Sequence, residues 1–155
     1  MIAVIDYGMG NLRSVQKALE KIGYGAVIID NPDNLNKAEA AILPGVGAFR
    51  DCYEGLRQKG FVNPIKEFIH AEKPLLGICI GMQLLFEYGE EGSGSEGLGI
   101  FEGRVVRFPS TKSTGLKVPH IGWNFVKPVK DKTNPLLPNH KGGYAYFVHS
   151  YYAQP

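Results

Sequence analysis

Cys79 lies in the segment Pro74 to Glu87 (PLLGICIGMQLLFE), between an apolar run and a helix-like stretch, with Gly77 and Gly81 two residues to either side. The pattern G-x-C-x-G is the thiol form of a nucleophile elbow, a sharp strand-to-helix turn that lifts the reactive atom clear of the backbone. Such a turn crowds the positions two before and two after the nucleophile, so neither tolerates a side chain. A helix starting directly after the sulfur favours thiolate over thiol. Its first free amide, that of Ile80, faces a developing oxyanion. A small core cysteine between incidental glycines would share the spacing, but the strand and helix around it favour the elbow.

A second segment, Ala40 to Phe49 (AAILPGVGAF), ends an apolar run in Pro44-Gly45-Val46-Gly47. In a parallel sheet such loops sit at the carboxyl edge, where ligands bind. Gly45 and Gly47 let the backbone approach a substrate, and an amide of the Val46–Gly47 stretch is the natural second oxyanion donor beside Ile80. An ordinary turn would look the same in isolation. Cys52, three residues after Phe49 and four before Leu56, lies on an apolar helix stripe and reads as core. At the amino end, Gly8-Met9-Gly10-Asn11-Leu12-Arg13 with Asp30 makes most of a dinucleotide fingerprint. Arg13 replaces its third glycine, which disfavours a nicotinamide or flavin site.

These residues need elements to hold them. Ile2–Tyr7, Ala26–Asp30, Ala40–Leu43 and Leu75–Cys79 read as strands that are apolar on both faces. Between them, helical spacing runs through Leu12, Val15, Leu19 and Ile22, then Phe49 to Leu56, then Ile65 to Ile69 after Pro64. Gly23 suits a helix C-terminus. A further helix is expected over Met82–Tyr88. The alternation predicts an α/β fold with a mostly parallel sheet flanked by helices. Beyond Tyr88, Glu90–Gly99 reads as a solvated loop. Arg104–Phe108, Gly122–Val126 and Tyr144–Tyr152 read as added antiparallel strands. With 155 residues, 44% hydrophobic and 21% charged, the chain suits one folded domain and not a disordered one. A net charge of +2 without a basic run gives no footprint for nucleic acid or a membrane surface. The longest near-apolar stretch, 13 residues at Pro74–Phe86, is too short to span a bilayer, and no export signal is legible, so a cytoplasmic location is expected. Cys52 and Cys79 alone make neither a disulfide framework nor a metal site, and no cofactor is expected.

PGVGAF, GICIGMQLLFE, PHIGWN and YFVHSYY, in that order and spacing, resemble the class I, triad-type glutamine amidotransferases, over the whole chain. Within them the likeness is to the glutaminase subunits of imidazole glycerol phosphate synthases. The resemblance implies a flavodoxin-like domain that hydrolyses L-glutamine and passes ammonia to a (β/α)8-barrel cyclase in histidine biosynthesis, the two forming a heterodimer with lyase activity. It implies Cys79 as nucleophile and Val46, Gly47 and Ile80 at the oxyanion. It implies Gly45, Gln83, Glu91, Ser150 and Tyr151 as substrate-binding residues, Glu91 for the α-ammonium. Asn11, His120, Trp123 and Asn124 would face the cyclase.

The family's base and its orienting acid lie in an F-H-P-E run that this sequence does not contain before Pro155. His70 should sit at the amino edge of the sheet, His120 in the partner-facing segment, His140 in a polar turn, and His149 on a strand with substrate or interface duty. Of the four, only His70 is followed two residues later by an acid, Glu72, and its expected place at the amino edge sets that pair apart from Cys79. The expectation is a domain lacking two triad members, a closing strand and a helix, with impaired turnover. Two other readings stand beside it: an amidotransferase domain serving a different synthase, and a docking partner without activity.

Overall fold

The computed structural model describes residues 1–109, 115, 117–129 and 142–155. The chain divides into two compact units, residues 1–106 with 153–155, and residues 107–152.

In the first unit the apolar segments form β1 (Ile2–Ile5), β2 (Ala26–Ile29), β3 (Ala40–Leu43) and β4 (Leu75–Gly77), in the order β2-β1-β3-β4 and parallel throughout. Ala3, Val4 and Ile5 are consecutive and all buried, as a strand covered on both faces requires. The covering elements are α1 (Leu12–Lys21), a 3-10 turn at Pro32–Lys37, α2 (Phe49–Gln58) and α3 (Val62–His70). The carboxyl end of α1 follows its sequence signal, and the amino end adds a side-chain cap. Asn11 Oδ1 accepts from the Ser14 amide, and beyond the last turn Gly23 takes φ +90°. The amides of Gly23 and Tyr24 then close on the Glu20 and Leu19 carbonyls. The α2 stripe is buried at Phe49, Cys52, Tyr53 and Leu56, and α3 buries Ile65 and Phe68.

The expected helix over Met82–Tyr88 is replaced by a single turn, α4 (Ile80–Gln83), and a strand, β5 (Phe86–Gly89). Leu84, Leu85 and Phe86 are consecutive and buried, which one face of a helix cannot provide. Their carbonyls instead accept amides from the following segment: Leu98 to Leu84 at 2.8 Å, Ile100 to Leu85 at 2.8 Å and Gly99 to Phe86 at 3.1 Å. The Glu90–Gly99 stretch is therefore not simply a solvated loop. It contains β6 (Ser95–Glu96) and the fully buried Leu98.

The remaining strands are β7 (Phe101–Arg107), β8 (His120–Val126), β9 (Gly143–His149) and β10 (Tyr151–Gln154). A second sheet runs β10-β7-β5-β6, with β5 and β7 parallel and β5 and β6 antiparallel. In the second unit, β8 and β9 form an antiparallel ladder from His120↔His149 to Val126↔Gly143. Strand alternation gives this ladder two unlike faces. One carries Ile121, Trp123, Phe125, Tyr144, Tyr146 and Val148, all exposed. The other carries His120, Asn124, Phe147 and His149.

Candidate active site

The site begins where β4 ends. Between Gly77 and α4 the backbone at Cys79 takes φ 56° and ψ −119°, a region that L-residues seldom occupy and that costs about 1–3 kcal/mol. The side chain is exposed. Both flanking glycines are there for room. A Cβ on Gly77 would lie 2.5 Å from Met82 Cα, and one on Gly81 would fall on the Leu43 carbonyl oxygen. That carbonyl already accepts the Ile78 amide at 3.0 Å, so β3 and the elbow are locked backbone to backbone.

The Pro44–Gly47 loop packs directly on the elbow. A Cβ on Gly45 would come within 2.6 Å of the Gly81 nitrogen and 3.0 Å of Ile80 Cβ. Gly45 thus serves close approach, while Gly47, at φ +104°, supplies the conformational freedom. Among the described residues the amides of Ile80, Val46 and Gly47 donate to no backbone acceptor. Ile80 is buried, and Val46 and Gly47 are exposed. Because α4 is one turn long, the help it gives a thiolate comes from these local amides and not from a long helix dipole, as the sequence suggested.

Two supports behind the loop escape sequence reasoning. Tyr7 donates its hydroxyl to the Pro44 carbonyl at 2.8 Å, and the Cys52 thiol donates to the Val46 carbonyl at 3.4 Å. Burial pushes both groups above their ordinary ionisation ranges, so both remain protonated donors at neutral pH. With the Val46 carbonyl turned toward Cys52, peptide planarity turns the Gly47 amide the opposite way. Cys52 is buried as expected and also orients the loop. Only its long-range contact reveals that.

Gln83 is the buried polar residue of this region, 6% exposed, and follows Cys79 by four positions. Its amide nitrogen donates to the Cys79 carbonyl at 3.2 Å, which keeps it one turn from the thiol. Glu91 Oε2 accepts from the Phe49 amide at 2.7 Å, capping α2, where Ala48 offers no side-chain acceptor. Asn11, expected at an interface, is exposed and caps α1. Gly8 and Gly10 both have positive φ, and Arg13, in the place of the fingerprint's third glycine, is exposed and donates to Gln16. Among the described residues, no cluster of three or more His, Cys, Asp or Glu could hold a metal ion.

His70 closes α3, before the amino end of β4, whereas Cys79 follows its carboxyl end. In the second unit, His120 and Asn124 share one face of the ladder and hydrogen-bond each other, while Trp123 points to the other face and is 69% exposed. Ser150 forms the bend between β9 and β10, and its carbonyl accepts the Phe108 amide at 3.0 Å. Tyr151 opens β10. His140 lies outside the described residues.

Residues 3–155 match the model of the class-I glutamine amidotransferase family. The chain belongs to that family. Among curated relatives, the imidazole glycerol phosphate synthase subunit HisH of Bacillus licheniformis is 55% identical over 98% of this chain and 72% of its own length. The subunit of the same name from Desulfitobacterium hafniense is 50% identical over 98% of this chain and 70% of its own length. Among solved structures, a glutamine amidotransferase superposes with a TM-score of 0.71 at 18% identity, covering 96% of this chain and 71% of that one. PurLQS from Thermotoga maritima follows at 0.65 and 22%, covering 97% and 66%. At those identities the structural likeness speaks for the fold. It is that of class I amidotransferases, a parallel sheet flanked by helices with added antiparallel strands.

Proposed function

We propose that this chain is the glutaminase subunit of an imidazole glycerol phosphate synthase, releasing ammonia from L-glutamine for a (β/α)8-barrel cyclase in a cytoplasmic heterodimer. The observation that carries the reading is Cys79: an exposed sulfur on a strained, glycine-walled turn, packed against a loop with unengaged amides. Cys79 Sγ gives up its proton and bonds the side-chain carbonyl carbon of glutamine. The carbonyl electron pair moves to oxygen, where the amides of Ile80 and Gly47 stabilise it. When that pair returns, the C–N bond breaks and nitrogen takes up a proton to leave as ammonia. Water then attacks the thioester, releasing glutamate and restoring the thiol. Gln83, Gly45, Ser150 and Tyr151 would bracket the substrate, and the Glu91 oxygen not used by Phe49 would meet its α-ammonium. His70, the first unit's histidine, sits at the wrong end of β4 to carry the proton.

The exposed aromatic face that carries Trp123 is the proposed cyclase surface; Asn11 in the first unit, and His120 and Asn124 on the other face of the ladder, are proposed to add contacts of their own. No helix among the described residues is long and apolar enough to cross a membrane. The test is a glutamine-shaped diazoketone followed by peptide mass mapping, alone and with the cyclase. One equivalent on Cys79, none on Cys52, and competition by L-glutamine are expected. Equal labelling of both cysteines, or no competition, overturns the reading. Co-purification with another ammonia-consuming synthase in place of the cyclase would reassign the acceptor.

A further inference from the structure

The inner face of the β8–β9 ladder holds an unbroken chain of side-chain hydrogen bonds. Asn124 Nδ2 lies 2.6 Å from His120 Nε2, His120 Nδ1 lies 2.9 Å from His149 Nε2, and His149 Nδ1 lies 2.8 Å from the Tyr151 carbonyl. A carbonyl only accepts, so His149 Nδ1 must carry its hydrogen. In the neutral ring Nε2 is then an acceptor, which obliges His120 Nδ1 to donate and His120 Nε2 to accept from the Asn124 amide. One fixed acceptor at the end thus sets both tautomers and the orientation of the amide. The rings are also held by packing. Phe147 stacks on His120 at 5.1 Å, and Phe108 meets His149 edge-on at 5.1 Å. The outer end of the chain, Asn124, is exposed, and the inner end holds the backbone beside the Ser150 bend.

We propose that Asn124, His120 and His149 are positioning residues. They form a one-way hydrogen-bond chain that fixes the Ser150–Tyr151 segment against substrate and passes the state of the exposed Asn124 to it. The proposal rests on the reading of Ser150 and Tyr151 as substrate-bracketing residues. Asn124→Asp offers only acceptors. It requires a hydrogen on His120 Nε2, which either leaves that ring with hydrogen on both nitrogens or turns Nδ1 into an acceptor, and in the latter case His149 Nε2 is obliged to donate. His149 then becomes cationic or releases the Tyr151 carbonyl. His120→Ala removes the middle link, whereas His120→Asn places an amide N–H where Nδ1 was.

Nitrogen-15 histidine spectra of the chain, which report tautomers directly, should show hydrogen on Nδ1 of both His120 and His149, and hydrogen on His120 Nε2 in Asn124→Asp. Hydrogen on His149 Nε2 in the unaltered chain overturns the proposal. In parallel, the glutamine concentration that halves alkylation of Cys79 should rise about tenfold in His120→Ala and Asn124→Asp and return to within about threefold in His120→Asn. If glutamine protects the unaltered chain and these variants equally, the positioning role is wrong and the glutaminase reading stands. If glutamine does not protect the unaltered chain, that reading fails and the positioning role falls with it.

Discussion

The elbow and the β8–β9 ladder hold chemistry-bearing side chains by opposite means. At the elbow, position is enforced by lack of room: Gly77, Gly81 and Gly45 each face backbone atoms closer than a Cβ allows. In the ladder, position comes from side chains, with paired rings and a hydrogen-bond chain on one face and exposed aromatics on the other. Backbone packed on backbone has no soft coordinate to absorb an added atom. A half-exposed ladder does. The first should therefore fail abruptly under substitution, and the second by degrees.

The sharpest contrast pairs two glycines. Gly81→Ala puts a methyl on the Leu43 carbonyl and should cost about 4 kcal/mol or abolish folding. Gly122→Ala, at φ +140° with nothing within 4 Å, should cost only about 1 kcal/mol. Chemical denaturation of both decides, and equal losses would break the comparison. Next is Trp123→Ala. Because the indole is so exposed, stability should change by less than about 0.5 kcal/mol, while affinity for the cyclase, measured by titration calorimetry, should fall by about 2 kcal/mol.

Smaller again is Cys79→Gly, which relieves the positive φ and should stabilise the fold by about 1 kcal/mol while abolishing labelling by the diazoketone. The gentlest test is alkaline titration. Tyr7 and Cys52 ionise at higher pH folded than unfolded, so folding favours their protonated forms. Their contribution is complete below the unfolded values, 9.0 for the thiol and 10.0 for the phenol, and is lost as pH climbs beyond them. Thermal midpoints should thus decline above about pH 9, and the Tyr7→Phe, Cys52→Ala double variant should decline less steeply.

Much of this was legible in the sequence, for identifiable reasons. The elbow could be read because steric exclusion writes glycine at fixed distances from Cys79. The parallel strands could be read because burial on both faces leaves unbroken apolar runs. The Met82–Tyr88 segment misled because a short apolar run suits helix and strand equally, and its partners, residues 97–100, are ordinary in composition. The Tyr7 and Cys52 supports depend on contacts between distant segments that no local pattern encodes. The same holds for Glu91, whose capping of α2 spans 42 residues. The two faces of the ladder are written in its alternation, HIGWNFV against GYAYFVH, but the pairing of His120 with His149 needs the register.

That register has a bearing on how the ladder can change over generations. Side chains switch faces at each residue, so a one-codon insertion inside β8 or β9 would turn Trp123 or Tyr146 inward and swing an imidazole out to water. Two-codon insertions restore the phase. Lineages should thus vary these strands in even steps or leave their length untouched.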